Sequence, residues 1–559
     1  MNWQAEYDVV VVGSGAGGIV SAITAAHNGL NTLIIEKGTT WGGSSALSGG
    51  GLWIPNNHVS KKAGLEDSEE EALLYMETVI EDTGPASTYE RKEAYVKTGH
   101  KMVKFLEELG MKWVAAPLYP DYYPEQPGGK IGRSIEGEFF DARLLGEYEK
   151  TLRTGSISAP IPLYSGKVAS LPRAFTTAKD FNTVVGLFIK GFTHKIKGEH
   201  TKSIGAGLVS RLLKIALDLQ VPLWLSTPLK DLIIENNEVI GIEVEKDGQP
   251  YFIKSKAVIL AGGGFERNAE LRKKYHNIGT DWTSGSEDNT GDMLLIAQKY
   301  NLDTSLLDDA WWGPTAIQPD GNRSFMVYDR SMPHCIVVDQ TGERYFNESQ
   351  SYTDAGQAML ERQQKNGKAI PSWLILESRN RNKYLFGDML PRITPKEKIE
   401  SGFLVKAKSI EELAEKCEIN VEGLKSTIER FNQFVEKGID EDFGRGNSAY
   451  DNYYGDPTYK NPNLGAIVKP PFYAIKVFPG DLGTKGGIVA NEHGQALRGG
   501  QPIYGLYATG NCSASVMGRV YPGPGSTLGP TTVFGYISAN HITKTIQNAT
   551  KLPNTSVLS

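Results

Sequence analysis

The sequence predicts an α/β protein in which a sheet built on a β-α-β start is split along the chain, with an α+β domain inserted between its two parts. Three observations predict it. The first fifty residues read strand, glycine turn, helix, strand. Tyr7-Asp8-Val9-Val10-Val11-Val12 leads into Gly13-Ser14-Gly15-Ala16-Gly17-Gly18, a helical stretch reaches Asn28, and Thr32-Leu33-Ile34-Ile35 ends on Glu36. A later apolar run, Ala257-Val258-Ile259-Leu260, ends on Ala261-Gly262-Gly263-Gly264. A glycine cluster at the carboxyl end of a strand lies where open α/β sheets bind ligands. From Phe472 the text returns to glycine-rich strand and turn. Residues 503–508 then run into Thr509-Gly510-Asn511, and a last helix covers 530–547.

The elements between follow from spacing. Residues 68–109 carry apolar side chains three and four apart, such as Met102, Phe105, Leu106 and Leu109, which predicts helices. Residues 114–175 are rich in Pro, Gly and Tyr and predict ordered loops. A helix resumes over 203–219, and 222–234 alternates towards a strand. Val239 to Glu245 and Tyr251 to Ile253 flank Asp247-Gly248, a favoured hairpin turn pair. From about 282 to 476 the pattern is mixed, with helices at Ile410–Cys417 and Val421–Lys437. The expected domains are therefore 1–281 and 477–559 as two parts of one nucleotide-binding unit, with 282–476 inserted as a second. The chain shows no internal repeat and no low-complexity tract.

Bulk properties narrow the function. At 559 residues the chain exceeds one core. A net charge of -6 and a pI near 6.0 argue against a nucleic-acid partner. Cys335, Cys417 and Cys512 are too few and too scattered for a disulfide framework or a metal cluster; no metal is expected, and a reducing, cytoplasmic location fits. The N-terminus has no basic n-region, its first apolar run being the predicted nucleotide strand, so a signal peptide is not expected. No apolar stretch has bilayer-spanning length.

Each part of the opening motif has a physical task with a dinucleotide. Gly13 permits the tight turn, Gly15 lets backbone approach a pyrophosphate, and Gly18 lets helix and strand pack closely. The helix start offers free N–H groups and a positive dipole end. Glu36, eighteen residues past Gly18, can accept ribose hydroxyls. The following run, Trp41-Gly42-Gly43-Ser44-Ser45-Ala46-Leu47-Ser48-Gly49-Gly50-Gly51, lets an extended, rigid cofactor pass along bare backbone. With the split sheet and the Gly510-Asn511 turn, this suits non-covalent FAD, stretched across the whole domain. A nicotinamide domain followed by a flexible loop, and a nucleotide-binding module without catalysis, are the alternatives.

The chain resembles the 3-ketosteroid Δ1-dehydrogenases, within the broader fumarate-reductase-like flavoproteins. The matching text runs over nearly the whole chain: GGSSALSGGGLWIPNN at 42–57, Pro120-Asp121-Tyr122, AGGGFERN at 261–268, DAWW at 309–312, GERYFNESQSY at 342–352, DEDFGRG at 440–446, DLGTKGG at 481–487 and YPGPGSTLG at 521–529. The resemblance implies a split Rossmann-like FAD-binding domain, an inserted α+β catalytic domain and a steroid held between them. It implies removal of hydrogens from C1 and C2 of ring A. Tyr352 is then the base for the C2 proton and Tyr122 its helper, although Tyr123 adjoins it and is an alternative. Tyr521 and Gly525 hold the C3 carbonyl oxygen. A hydroxyl and a backbone N–H aimed at one oxygen form an oxyanion hole, and phenols pack against an apolar steroid while their hydroxyls do polar work.

For the cofactor, the expected contacts are Gly13, Ser14, Gly15, Ala16, Gly17, Glu36, Lys37 and Gly262 at the turn and ribose. Gly43, Ser44, Ser45, Ser48, Gly49, Gly50 and Gly51 are expected along the flavin, with Gly510, Asn511, Thr527 and Leu528 on its far side. Thr227-Pro228-Leu229 matches the segment whose backbone pairs with adenine. Asp292, in Asn289-Thr290-Gly291-Asp292, resembles a flavin-proximal motif, but Met293 replaces the usual glycine. The expected electron acceptor is a quinone or another small acceptor. Two other reactions compete: a Δ4-(5α)-dehydrogenation of the same steroid class and a fumarate-reductase-like enoate reduction. The latter needs cationic side chains for a dicarboxylate, whereas Trp311, Trp312 and Phe325 stand near the expected site. Finally, residues 173–202 place Phe181-Asn182-Thr183-Val184-Val185-Gly186-Leu187-Phe188-Ile189 before Lys190, Lys195, Lys197 and Lys202. This reads either as a peripheral membrane contact or as a lid over the site.

Overall fold

A computed structural model of the protein describes residues 2–155 and 162–551. The opening motif folds as β1 (Ala5–Val12), α1 (Ala16–His27) and β2 (Thr32–Ile35). Both strands carry continuous apolar runs because they lie inside a parallel sheet, buried on both faces. That sheet runs, strand by strand, Leu223–Trp224, β2, β1, Gln249–Leu260 and Gln501–Ala508, all parallel. The chain thus returns some 240 residues after Leu260 to add the Gln501–Ala508 strand, as the split sheet requires.

The hairpin forms where expected. Glu238–Lys246 and Gln249–Leu260 pair antiparallel about Asp247 and Gly248, whose φ values of 52° and 74° are those of a primed turn. Two expectations need correcting. Residues 251–253 and 257–260 are one strand, not two: its first half alternates at the hairpin and its last four residues are buried between β1 and Gln501–Ala508. Residues 222–234 are two strands, not one. Ser226 takes a φ of 50° and Pro228 follows, so Leu223–Trp224 joins the parallel sheet while Leu229–Glu235 pairs antiparallel with the hairpin.

The stretch expected as loops, 114–175, holds a strand, Ser134–Gly137, between Gly51–Trp53 and Trp113–Ala115. It also holds short helices at Ala142–Thr151 and Ser165–Ser170; its residues 156–161 lie outside the described residues. Helices at Glu69–Val79, Tyr89–Glu108, Ile204–Asp218, Ile410–Cys417 and Val421–Lys437 match their periodicity. A second, antiparallel sheet runs Arg323–Phe325, Ala310–Ile317, Phe472–Thr484, Ser372–Glu377 and Cys335–Val338, with Val405–Ala407 also on Phe472–Thr484. The last helix is Leu528–Lys551, packed on α1.

Candidate active site

The phenols singled out from the sequence meet in one place. Tyr122 follows Pro120-Asp121, Tyr352 begins the helix Tyr352–Asn366, and Tyr521 opens the turn before the last helix. Their ring centroids are 5.4 Å (Tyr122–Tyr352), 5.0 Å (Tyr122–Tyr521) and 5.2 Å (Tyr352–Tyr521) apart. Each ring is 5% exposed. Trp311 closes against Tyr521 at 5.1 Å and Phe325 against Tyr352 at 5.1 Å. The neighbouring Tyr123 donates instead to Asp354 at 2.8 Å. The choice between Tyr122 and Tyr123 is therefore geometric, and Tyr122 is the one inside the cluster.

Burial governs the electrostatics. It pushes the hydroxyls of Tyr122 and Tyr352 well above the usual phenol range, and neighbouring phenols add to the effect. Tyr122 opposes this by hydrogen bonding to Tyr352. Tyr521 is also raised by burial, but the hydroxyls of Thr527 and Tyr352 and the backbone of Gly525 favour its anion. Thr527 donates to the Tyr521 hydroxyl at 3.1 Å. Gly525 takes a φ of +98°, and a Cβ there would collide with the Gly51 carbonyl, so only glycine fits. The Gly525 backbone thus lies beside the Tyr521 hydroxyl. Two such donors side by side can hold a single oxygen.

A bare groove leads from the α1 N-terminus to this point. A Cβ added at Gly15, Gly43, Gly51 or Gly510 would meet nothing nearer than 3.3, 3.9, 3.8 and 3.5 Å. Gly43 and Gly510 take φ of +50° and +73°, which favours glycine by itself, whereas Gly15 and Gly51 leave open backbone along which a flat cofactor fits. The near neighbours trace a path, from Gly15 to Gly43 and from Gly51 to the Pro524 carbonyl. A cleft beyond is lined by Lys485, Thr509, Gly510, Asn511, Ser526 and Thr527. The residues present therefore fit an extended dinucleotide.

The other expected glycines are held by close packing. A Cβ at Gly13 (φ +108°) would collide with the Ala261 carbonyl, and one at Gly18 with the Gly13 carbonyl. At Gly17 and Gly262 it would meet Thr531 Cγ2 at 2.5 Å and Met293 Cγ at 2.9 Å. Gly49 packs on Ser165, and Gly50 on the Ile204–Gly205 backbone. The hydroxyls hold the groove together. Ser14 donates through its N–H (3.1 Å) and Oγ (2.6 Å) to Glu36, which also accepts from the Gly38 N–H at 2.9 Å. Ser45 Oγ accepts from the Ala16 N–H at 3.0 Å, Ser44 Oγ accepts from the Ser286 N–H at 2.9 Å, and Ser48 Oγ accepts from the Gly50 N–H at 3.1 Å. Asn511 accepts from Trp311 Nε1 at 3.2 Å. Leu528 begins the last helix, and Leu229 begins an edge strand. Lys37 and Asp292 bind each other at 2.7 Å, with Thr290 beside them. They form a partly exposed pair rather than separate contacts.

Several neighbours carried no sequence signal. Tyr450 lies 4.6 Å from Tyr122, and its buried hydroxyl has no protein partner. Tyr119 and Tyr454 share a hydroxyl–hydroxyl contact of 2.5 Å. Beneath Tyr122, fully buried Arg133 pairs with Asp121 at 2.8 Å and Asp67 at 2.7 Å. Burial pushes the Asp121 carboxyl up to about 6 even against that cation.

The chain is similar to known proteins over nearly its whole length. A protein-family model described as an FAD binding domain covers residues 8–528. The 3-oxosteroid 1-dehydrogenase of Mycolicibacterium smegmatis is 43% identical over 97% of this chain and 98% of its own length. The chain belongs to the 3-oxosteroid 1-dehydrogenase family. The member from Mycobacterium tuberculosis strain H37Rv is 42% identical over 96% of this chain and 98% of its own. The crystal structure of the 3-ketosteroid Δ1-dehydrogenase from Sterolibacterium denitrificans, in complex with 1,4-androstadiene-3,17-dione, superposes with a TM-score of 0.91 at 34% identity. It covers 97% of this chain and 100% of that one. The resemblance drawn from motifs and the α/β class are thereby borne out. As a member of this family the chain is a FAD-dependent oxidoreductase.

Proposed function

We propose that the chain dehydrogenates ring A of 3-ketosteroids at C1 and C2, with Tyr122, Tyr352, Tyr521 and Gly525 in the roles expected of them. The observation that supports this reading is the packing of three buried phenols, Tyr122, Tyr352 and Tyr521, against one another, with the Gly525 backbone beside Tyr521. Bound FAD supplies the acceptor for the C1 hydride. Gly15, Gly43, Gly51 and Gly510 would hold it along bare backbone, and Glu36 would face its ribose. The Tyr521 O–H and the Gly525 N–H donate to the C3 carbonyl oxygen, which acidifies the C2 proton and stabilises the enolate that follows. Tyr352 takes that proton. Tyr122, donating to Tyr352, supports its anion, which burial alone disfavours. The proton leaves C2 first, the hydride then leaves C1, and the C1–C2 double bond forms. Residues 282–476 act as the cap over the steroid, between the two parts of the FAD-binding unit.

The test is anaerobic mixing of the flavin-loaded protein with 4-androstene-3,17-dione. Bleaching of the visible flavin band, with the 1,4-diene as product, is expected. No bleaching overturns the reading, and bleaching only by a 5α-saturated steroid, giving a 4-ene, assigns the Δ4 reaction. The proposed electron acceptor is a quinone, and reoxidation of the bleached protein by a ubiquinone analogue checks this.

The segment 173–202 supports a peripheral membrane contact. Its helix Ala178–Ile196 exposes Phe181, Phe188, Ile189, Phe192 and Ile196 on one side. Spaced at three, four and seven residues, they form a stripe with Lys195 and Lys197 beside it, the pattern of a helix lying in an anionic interface. No described helix is long and apolar enough to cross a membrane. A Phe188→Asp, Phe192→Asp double variant that still sediments with anionic vesicles as the parent does removes this contact.

A further inference from the structure

We infer that Ser134 is a positioning residue for the carbonyl clamp, acting through the peptide unit that joins Pro524 to Gly525. This rests on the Δ1 reading above. A peptide is planar, and in the trans form its C=O and N–H point in opposite directions. Whatever fixes the Pro524 carbonyl therefore fixes the Gly525 N–H, the donor on the far side of the same plane. Ser134 Oγ donates to the Pro524 carbonyl at 2.6 Å. Gly525 has the freedom of a residue at φ +98°, so its peptide needs an external restraint.

The rest of the turn is held from outside in the same manner. Proline lacks an N–H, so Pro522 and Pro524 bring carbonyls to the turn without donors of their own. The Pro522 carbonyl accepts from Tyr75 Oη at 2.6 Å and from the Tyr122 N–H at 2.8 Å. The Gly525 carbonyl accepts from the Trp53 N–H at 3.2 Å and the Gly529 N–H at 2.8 Å. Trp53 in turn donates from Nε1 to Asp121 at 2.7 Å. Of these, Ser134 alone touches the peptide that carries the clamp donor. It is 2% exposed and sits at the start of the strand Ser134–Gly137, paired with Gly51–Trp53. Its position is thus set by a sheet rather than a loop. A hydrogen bond to the carbonyl also polarises the peptide and strengthens the opposite N–H as a donor.

The role separates from a packing role by which ligand it favours. A steroid with a phenolic ring A, such as 17β-estradiol, places a full negative charge at the clamp when it binds as its phenolate, as the enolate does. A ketone presents a neutral one. In Ser134→Ala we expect a roughly ten-fold fall in the rate of flavin bleaching at saturating 4-androstene-3,17-dione, with KM within two-fold. We also expect at least five-fold weaker binding of 17β-estradiol, read from the flavin difference spectrum, against less than two-fold for the diene-dione. Ser134→Thr, which keeps the hydroxyl, is expected to recover most of the rate. Unchanged bleaching in Ser134→Ala overturns the inference, as does equal weakening of both ligands. If the unaltered protein does not bleach with the ketosteroid, the Δ1 reading itself has failed instead.

Discussion

Replacing Tyr521 with Phe tests the clamp most directly. The substitution removes one oxygen. The ring keeps its place against Tyr122 at 5.0 Å and Trp311 at 5.1 Å, and the hydrogen bond from Thr527 at 3.1 Å is lost. The cost in stability is therefore that of a single neutral hydrogen bond, about 1 kcal/mol. The cost in rate is larger, because a donor aimed at developing charge in a dry site contributes about 2.7–4 kcal/mol to barrier lowering. Gly525 still donates, so the expected fall in flavin bleaching is about 100-fold to 1,000-fold at saturating steroid. Stopped-flow absorbance at the flavin band measures it, and a thermal melt within a few degrees of the parent shows that the fold is intact. Bleaching within three-fold of the parent would refute the clamp, since the oxygen removed would then not face the substrate.

Further outcomes follow from the same geometry. Tyr352→Phe keeps the ring and removes the base, so bleaching falls by about 100-fold to 10,000-fold while steroid still binds; binding without loss of rate assigns the base elsewhere. Because burial holds the Tyr352 hydroxyl above its usual range, its anion is a minority at neutral pH, and the bleaching rate rises from pH 7 to pH 9; a falling rate contradicts phenolate chemistry. The same burial makes Tyr119, Tyr122, Tyr352, Tyr450 and Tyr454 harder to ionise folded than unfolded. Their contribution to stability is complete below the unfolded phenol value near 10 and is lost as pH climbs through the raised folded values. Absorbance at 295 nm in an alkaline titration is thus expected to rise together with loss of structure, and phenolate appearing well before unfolding excludes this. Arg133→Met leaves Asp67 and Asp121 as buried, uncompensated carboxylates and is expected to cost about 3–5 kcal/mol, read as a lowered Tm.

Much of this was legible in the residues. The β1–α1–β2 start, the Asp247-Gly248 hairpin and the two helices at Ile410–Cys417 and Val421–Lys437 each carry a local signal: a run, a turn pair, a period. Tyr122, Tyr352 and Tyr521 stood in recognisable motifs. Tyr119, Tyr450 and Tyr454 did not, because among 25 tyrosines nothing local marks a ring that will pack on a distant one. Ser134 was illegible for another reason. Its role lies in the carbonyl it meets, 390 residues away, and a lone serine in Pro- and Gly-rich text gives no hint of a strand. The strand 249–260 was misread because its partners change midway, which converts one alternating pattern into a continuous one.

The thirteen-residue strand Phe472–Thr484 has a consequence for how the molecule moves. It is the central girder of the antiparallel sheet, flanked by Ala310–Ile317 and Ser372–Glu377. Near its far end, where it is still paired with Trp312 and Ala310, Asp481 also binds Arg272 at 2.7 Å and Thr283 Oγ1 at 2.7 Å. The Arg272–Asp481 pair is wholly buried and ties the antiparallel sheet to residues that follow the parallel one. Parting the two there would strand a buried charge, at about 3–5 kcal/mol, so the sheets resist separation at that point.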